Sequence, residues 1–92
     1  MDSFFAEIPG SPARRLYLYR DDAGGEAGTV RGWNFVVDQF DQAGKPSPLW
    51  DTWAETFAEI LMYPPEYANE PINWRRTETK EAVVIADLRF DD

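Results

Sequence analysis

The side chains of this chain that could do chemistry are its acids and its arginines, and the sequence keeps them apart. The 29 residues from Pro46 to Trp74 hold five carboxylates, Asp51, Glu55, Glu59, Glu66 and Glu70, and no lysine or arginine. All seven arginines, at 14, 15, 20, 31, 75, 76 and 89, lie outside that stretch. There is no cysteine and no histidine, so thiolate nucleophiles, thiolate or imidazole metal ligands and a base titrating near neutrality are all missing. What remains is carboxylate chemistry and guanidinium recognition. A carboxylate pair, such as Asp38 or Asp41 with a Glu of a helix, would need a desolvating pocket to act as general acid and base, and so small a domain hardly encloses one alone. No catalytic residue, cofactor or metal ligand is therefore assigned, and an enzyme is not the favoured reading.

Each remaining motif has a plain alternative. Asp51, Glu55 and Glu59 recur at i, i+4 and i+8, which on a helix forms an acidic stripe about 12 Å long. That stripe is either a solvated face or a contact for a partner with a basic surface, and its outer carboxylates are too far apart to share one cation. Arg14-Arg15 and Arg75-Arg76 resemble anion clamps, but neighbours on a strand point to opposite faces, so each pair is expected to bond internally. The loop Gly24-Gly25-Glu26-Ala27-Gly28 is a poor phosphate cradle, because it is acidic and opens no helix. Pro64-Pro65-Glu66-Tyr67 spells a Pro-Pro-x-Tyr ligand at a place where a helix exit needs prolines anyway.

The elements that must position these groups emerge from periodicity. Ninety-two residues make one compact domain, 1–92, in which 1–13 is a possible extended leader. Forty-three per cent hydrophobic residues, with four Trp, argue for a folded chain despite a net charge of -8. Arg15 to Arg20 alternates at period two and predicts a strand with Leu16 and Leu18 toward the core. Thr29 to Phe40 predicts a second, with Arg31, Trp33, Phe35 and Val37 on one side and a bulge at Gly32. Ser47-Pro48 reads as an N-cap and first helical residue, and Leu49, Trp50, Trp53, Ala54, Phe57, Ile60 and Leu61 fill one helical arc, predicting an amphipathic helix from Pro48 to about Met62. Ile72 to Thr77 and Ala82 to Phe90 predict two closing strands. The expected fold is α+β, a small antiparallel sheet of about four strands in the order β-β-α-β-β packed on one helix.

One helix covers only one face of such a sheet. The other is expected to carry Tyr17, Tyr19, Arg31, Trp33, Phe35 and Arg89, residue types enriched at binding hot spots. Self-association through that face, with a dimer favoured, is the leading expectation. A second reading places a small-molecule pocket between helix and sheet or at a dimer seam, lined by Trp50, Trp53, Phe57 and Trp74. A third makes the chain an acidic inhibitor or nucleic-acid mimic that engages a basic partner. The negative charge argues against binding nucleic acid or an anionic membrane. Without a signal-like start or a long apolar run, a cytoplasmic location is expected.

Overall fold

The computed structural model describes residues 2–25 and 28–90. The chain is mostly β. Strands β1 (Ser3–Ile8), β2 (Arg14–Arg20), β5 (Trp33–Phe40), β6 (Pro46–Ala54) and β7 (Arg75–Arg76) form one sheet in the order β6-β5-β2-β1-β7, and every pairing in it is antiparallel. A small ribbon, β3 (Ala23–Gly25) with β4 (Gly28–Val30), grows out between β2 and β5. Glu26 and Ala27, at the tip of the expected glycine loop, lie outside the described residues. Residues Ser3–Ile8 of the expected leader are part of the sheet: Phe4 pairs with Leu18 and Ala6 with Leu16, so they add a strand at the side of β2.

This architecture overturns the expected four-stranded sheet on one long helix. Residues Pro46–Ala54 are an edge strand, and the only α-helix among the described residues is α1 (Phe57–Ile60), four residues long. The reason lies in the turn before β6. Asp41 Oδ1 accepts the backbone N–H groups of Ala43 (2.9 Å) and Lys45 (2.8 Å), and Gly44 takes φ +79 while its N–H reaches the Asp41 carbonyl at 2.9 Å. A residue with a Cβ meets a steric penalty at that φ, whereas glycine does not. The turn folds the chain back, so Trp33, Phe35 and Val37 of β5 pair with Ala54, Thr52 and Trp50 of β6. A central strand with fully buried side chains cannot leave its backbone groups unpaired, and this demand outweighs helix propensity. Pro46 and Pro48 are tolerated because they sit on the outermost strand.

The core lies on one side of the sheet. Phe4, Leu16, Leu18, Trp33, Phe35 and Val37 are completely buried there, and α1, a 3-10 turn at Pro64–Tyr67 and the C-terminal segment cover them. Trp33 meets Phe57 and Phe90 with ring centroids 4.7 Å away in each case, and Phe57 meets Phe90 at 4.7 Å. A second ring cluster joins Phe35, Trp50, Tyr63 and Tyr67 at 5.6 to 6.3 Å. The predicted strand Ala82 to Phe90 is instead a coil with one bridge, Arg75 to Ala82, and a 3-10 turn at Ile85–Asp87. That turn carries Ile85 and Leu88, three residues apart, onto the core together, which strict alternation would forbid. Of the predicted strand from Ile72 to Thr77 only Arg75–Arg76 forms.

Thr56 caps α1, its Oγ1 accepting the Glu59 N–H at 3.1 Å. A single-turn helix has almost no cooperativity of its own. Thr56→Ala is therefore expected to cost about 1 kcal/mol, read as a lower urea midpoint with an unchanged slope.

Candidate interaction surface

Strand pairing determines which side chains share the face away from the core. On that face Phe5 pairs with Tyr17, Tyr17 with Val36 and Val36 with Asp51, while Arg75 of β7 pairs with Phe5, making one row across all five strands. Beside it runs a second row, Ser3, Tyr19, Asn34 and Trp53. A third row comprises Glu7, Arg15 and Asp38. Phe5, Tyr17, Tyr19, Val36 and Trp53 are all half-buried, packed side by side with one surface toward solvent. The elements that cover the core lie on the opposite side.

Polar contacts fix these side chains in place. Asn34 donates its amide to the Tyr19 hydroxyl at 2.8 Å, and Ser3 and Thr77 share a hydroxyl hydrogen bond of 2.8 Å at the β7 edge. Arg15 donates to Glu7 at 2.8 Å and to the Tyr17 hydroxyl at 3.5 Å, and its guanidinium lies 5.1 Å from the centre of the Phe40 ring. The hydrogen bond to Tyr17 raises the Arg15 pKa further above its usual value, burial opposes the shift, and the bond to Glu7 adds to it. Trp53 lies over Gly32 and donates its indole N–H to the Asp21 carbonyl at 2.6 Å. Aromatic tiles held by their own hydrogen bonds lose little further entropy when a partner lands on them.

The predicted face residues are divided between the two sides of the sheet. Tyr17 and Tyr19 lie on the open face. Trp33 and Phe35 point the other way, wholly buried, because Tyr17 pairs with Val36 and Tyr19 with Asn34, which sets β5 one residue out of the expected phase. Arg31 is exposed in the link between β4 and β5. Arg89 donates to the Ala86 and Leu88 carbonyls at 2.8 Å each, within the C-terminal coil. The residues that sequence reasoning left out of this surface are Phe5, Asn34, Val36 and Trp53. The β5 members, Asn34 and Val36, follow only once Tyr17 is paired with Val36.

The other predicted groupings also disperse. The acidic stripe is not one helix face: Asp51 is on β6, Glu55 in the link after it and Glu59 on α1, all three exposed. The residues of the suggested pocket do not converge either. Trp50 and Trp53 point to opposite faces of β6, Phe57 is in the Trp33 cluster, and Trp74 is buried in the core. A widely open depression of about 640 Å³ lies instead between the 3-10 turn and the C-terminal coil near Pro65, Asn69, Pro71, Trp74, Val83 and Ile85, and among its lining residues only Glu70 is ionisable. A lone exposed carboxylate lacks the second group that acid-base chemistry requires. Tyr67, the tyrosine of the Pro-Pro-x-Tyr motif, is packed on Phe35 and Trp50, and Pro64 is buried, so the motif is not presented as an extended ligand. Each double arginine is split between faces, with Arg14 directed to Gln39 (3.4 Å) and Arg76 lying over Phe4 (5.4 Å) on the core side. Among the described residues no cluster of three acids gathers to hold a metal, and no helix is long and apolar enough to cross a membrane. Comparison with protein-family models, with curated proteins and with solved structures finds no match to this chain.

Proposed function

We propose that this protein works by binding rather than by catalysis, and that it pairs with a second copy of itself through the open face of its sheet. The observation that supports this most is the contiguous half-exposed set Phe5, Tyr17, Tyr19, Val36 and Trp53, uncovered on the side away from the core. A two-fold axis in the plane of the face brings it onto itself, and aromatic rings are the side chains that gain most from such burial.

Size and charge set the strength of the pairing. Five strands spaced by about 4.8 Å, with roughly six residues each at 3.3 Å, present a face of about 400 Å². Two such faces bury less than the ~1,200 Å² at which stable interfaces begin, so the dimer is weak and concentration-dependent. A net charge of -8 on each copy repels the other, and salt screens that repulsion. Dimerisation is therefore stronger at high salt, opposite to an assembly held by ion pairs.

Sedimentation equilibrium of the Tyr17→Lys variant tests the reading. Placing a cation at the centre of the apolar row is expected to raise the dimer dissociation constant at least tenfold. Met62→Lys, at a 73% exposed position of the α1 region, should leave it unchanged. Equal effects of the two substitutions, or a wild-type monomer at every concentration and salt, would refute self-pairing through this face.

A further inference from the structure

The sheet ends at β6, so the outward backbone N–H and C=O groups of that strand pair with no strand of the described chain. Natural edges are usually blunted, and the two ends of β6 differ in this respect. Its first part is protected by Pro46 and Pro48 and by a bulge, since Val37 pairs with Trp50 and Asp38 with Pro48, leaving Leu49 extra. From Trp50 to Ala54 the strand is regular and only Asp51 interrupts it. Leu49 and Trp50 are 44% and 37% exposed beside this edge. The opposite edge offers far less, because β7 is only two residues long and Arg75 already bridges to Ala82.

The charge at this edge identifies the partner. Asp51 and Trp53 point to the open side of the sheet, Glu55 stands just past the end of the strand, and Trp50, Thr52 and Ala54 point to the core side. Asp51 and Glu55 are exposed and form no ion pair among the described residues, and no lysine or arginine occurs anywhere from Pro46 to Trp74. A second copy added here would bring another Asp51 and Glu55 against the first pair, and like charges across adjacent strands repel. We infer that the β6 edge accepts an extended basic segment of another protein as a sixth strand, with alternate Lys or Arg residues meeting Asp51 and Glu55 and the intervening apolar residues lying beside Trp50. Backbone hydrogen bonds supply the affinity and this alternation the selectivity, as in other cases of strand addition. The arrangement is independent of the open-face pairing, because a strand added in the plane of the sheet leaves Phe5, Tyr17 and Tyr19 uncovered.

The probe is a blocked ten-residue peptide alternating lysine and valine, titrated into ¹⁵N-labelled protein. The expected result is shift changes and slowed amide exchange confined to Trp50–Ala54. A glutamate-valine peptide, and a lysine-valine peptide with two N-methylated valines, should each bind at least tenfold more weakly. Asp51→Lys, at a solvent-exposed position, should lose at least tenfold for the lysine peptide and gain for the glutamate peptide, with Glu55→Lys acting in the same direction. A well-dispersed spectrum of each variant establishes that it is folded. Equal binding of the N-methylated peptide would overturn the strand addition and leave a charge contact only. Shift changes centred on Tyr17 and Tyr19, equal affinity for the lysine-valine and glutamate-valine peptides, or no binding at all would overturn the proposal, as would concentration-dependent protection of Trp50–Ala54 without peptide, which would make the occupant a second copy.

Discussion

Trp33→Ala is expected to lower stability by about 3–5 kcal/mol, the range for deleting a buried large aromatic. Trp33 is completely buried and central to both directions of packing: it touches Phe57 and Phe90 at 4.7 Å, and the Arg20 guanidinium lies 4.7 Å from its ring centre. Through these rings it joins β5 to α1 and to the C-terminal coil, the two segments that close the core. Small domains have total stabilities on the order of 5–10 kcal/mol, so the loss would remove about half of the total. Urea unfolding followed by circular dichroism measures it. The effect concerns folding and not assembly, because the side chain has no surface on which a partner could act. Trp33→Phe, which keeps a ring in place, should recover more than half of the loss.

Gly32→Ala is expected to cost about 2–4 kcal/mol, combining overpacking of roughly 1–3 with about 1 for a lost hydrogen bond. A Cβ built at residue 32 would overlap Cζ2 and Cε2 of the Trp53 indole. The ring must then leave, and with it goes the 2.6 Å bond from Nε1 to the Asp21 carbonyl. Asp21 and Gly32 also form the neck of the β3–β4 ribbon, where the Asp21 N–H reaches the Gly32 carbonyl at 3.0 Å and the Gly32 N–H reaches Asp22 Oδ1 at 3.1 Å. Glycine is required here for close approach of a ring, not for an unusual backbone angle. Denaturation should show the loss, and the indole N–H resonance of Trp53 should move to the position of an unbonded tryptophan. A variant with wild-type stability and an unmoved resonance would contradict this account of Trp53.

The sequence was legible where one periodicity had no competitor. Leu16 and Leu18 alternate with Tyr17 and Tyr19 in a run too short and too aromatic for another reading, and their faces are as expected. Leu49 to Ala54 was ambiguous, because a short apolar run satisfies both the helical and the strand period. The residues that decide it stand earlier in the chain. Asp41 and Gly44 build a five-residue hairpin turn, and a hairpin commits the next segment to pairing back on β5, whereas Ser47-Pro48 only permits a helix. The long helix and its acidic stripe were lost together for this reason. The open face was half legible. Its β2 members are given by alternation, but assigning the β5 members needs the register of Tyr17 against Val36, which depends on the twelve-residue excursion between the two strands. Val83, Ile85 and Leu88 illustrate another limit, since a 3-10 turn can bring residues two and three apart onto one core and still look like a strand in sequence.

The strongest test of the open face as the self-pairing surface is an isotope-filtered nuclear Overhauser measurement on an equimolar mixture of labelled and unlabelled protein at high salt and high concentration. Self-pairing through this face predicts intermolecular cross-peaks among the rings of Phe5, Tyr17, Tyr19 and Trp53, and none from Trp33 or Phe57. Intermolecular cross-peaks confined to Leu49, Trp50 and Met62, or none under conditions where sedimentation detects a dimer, would contradict it.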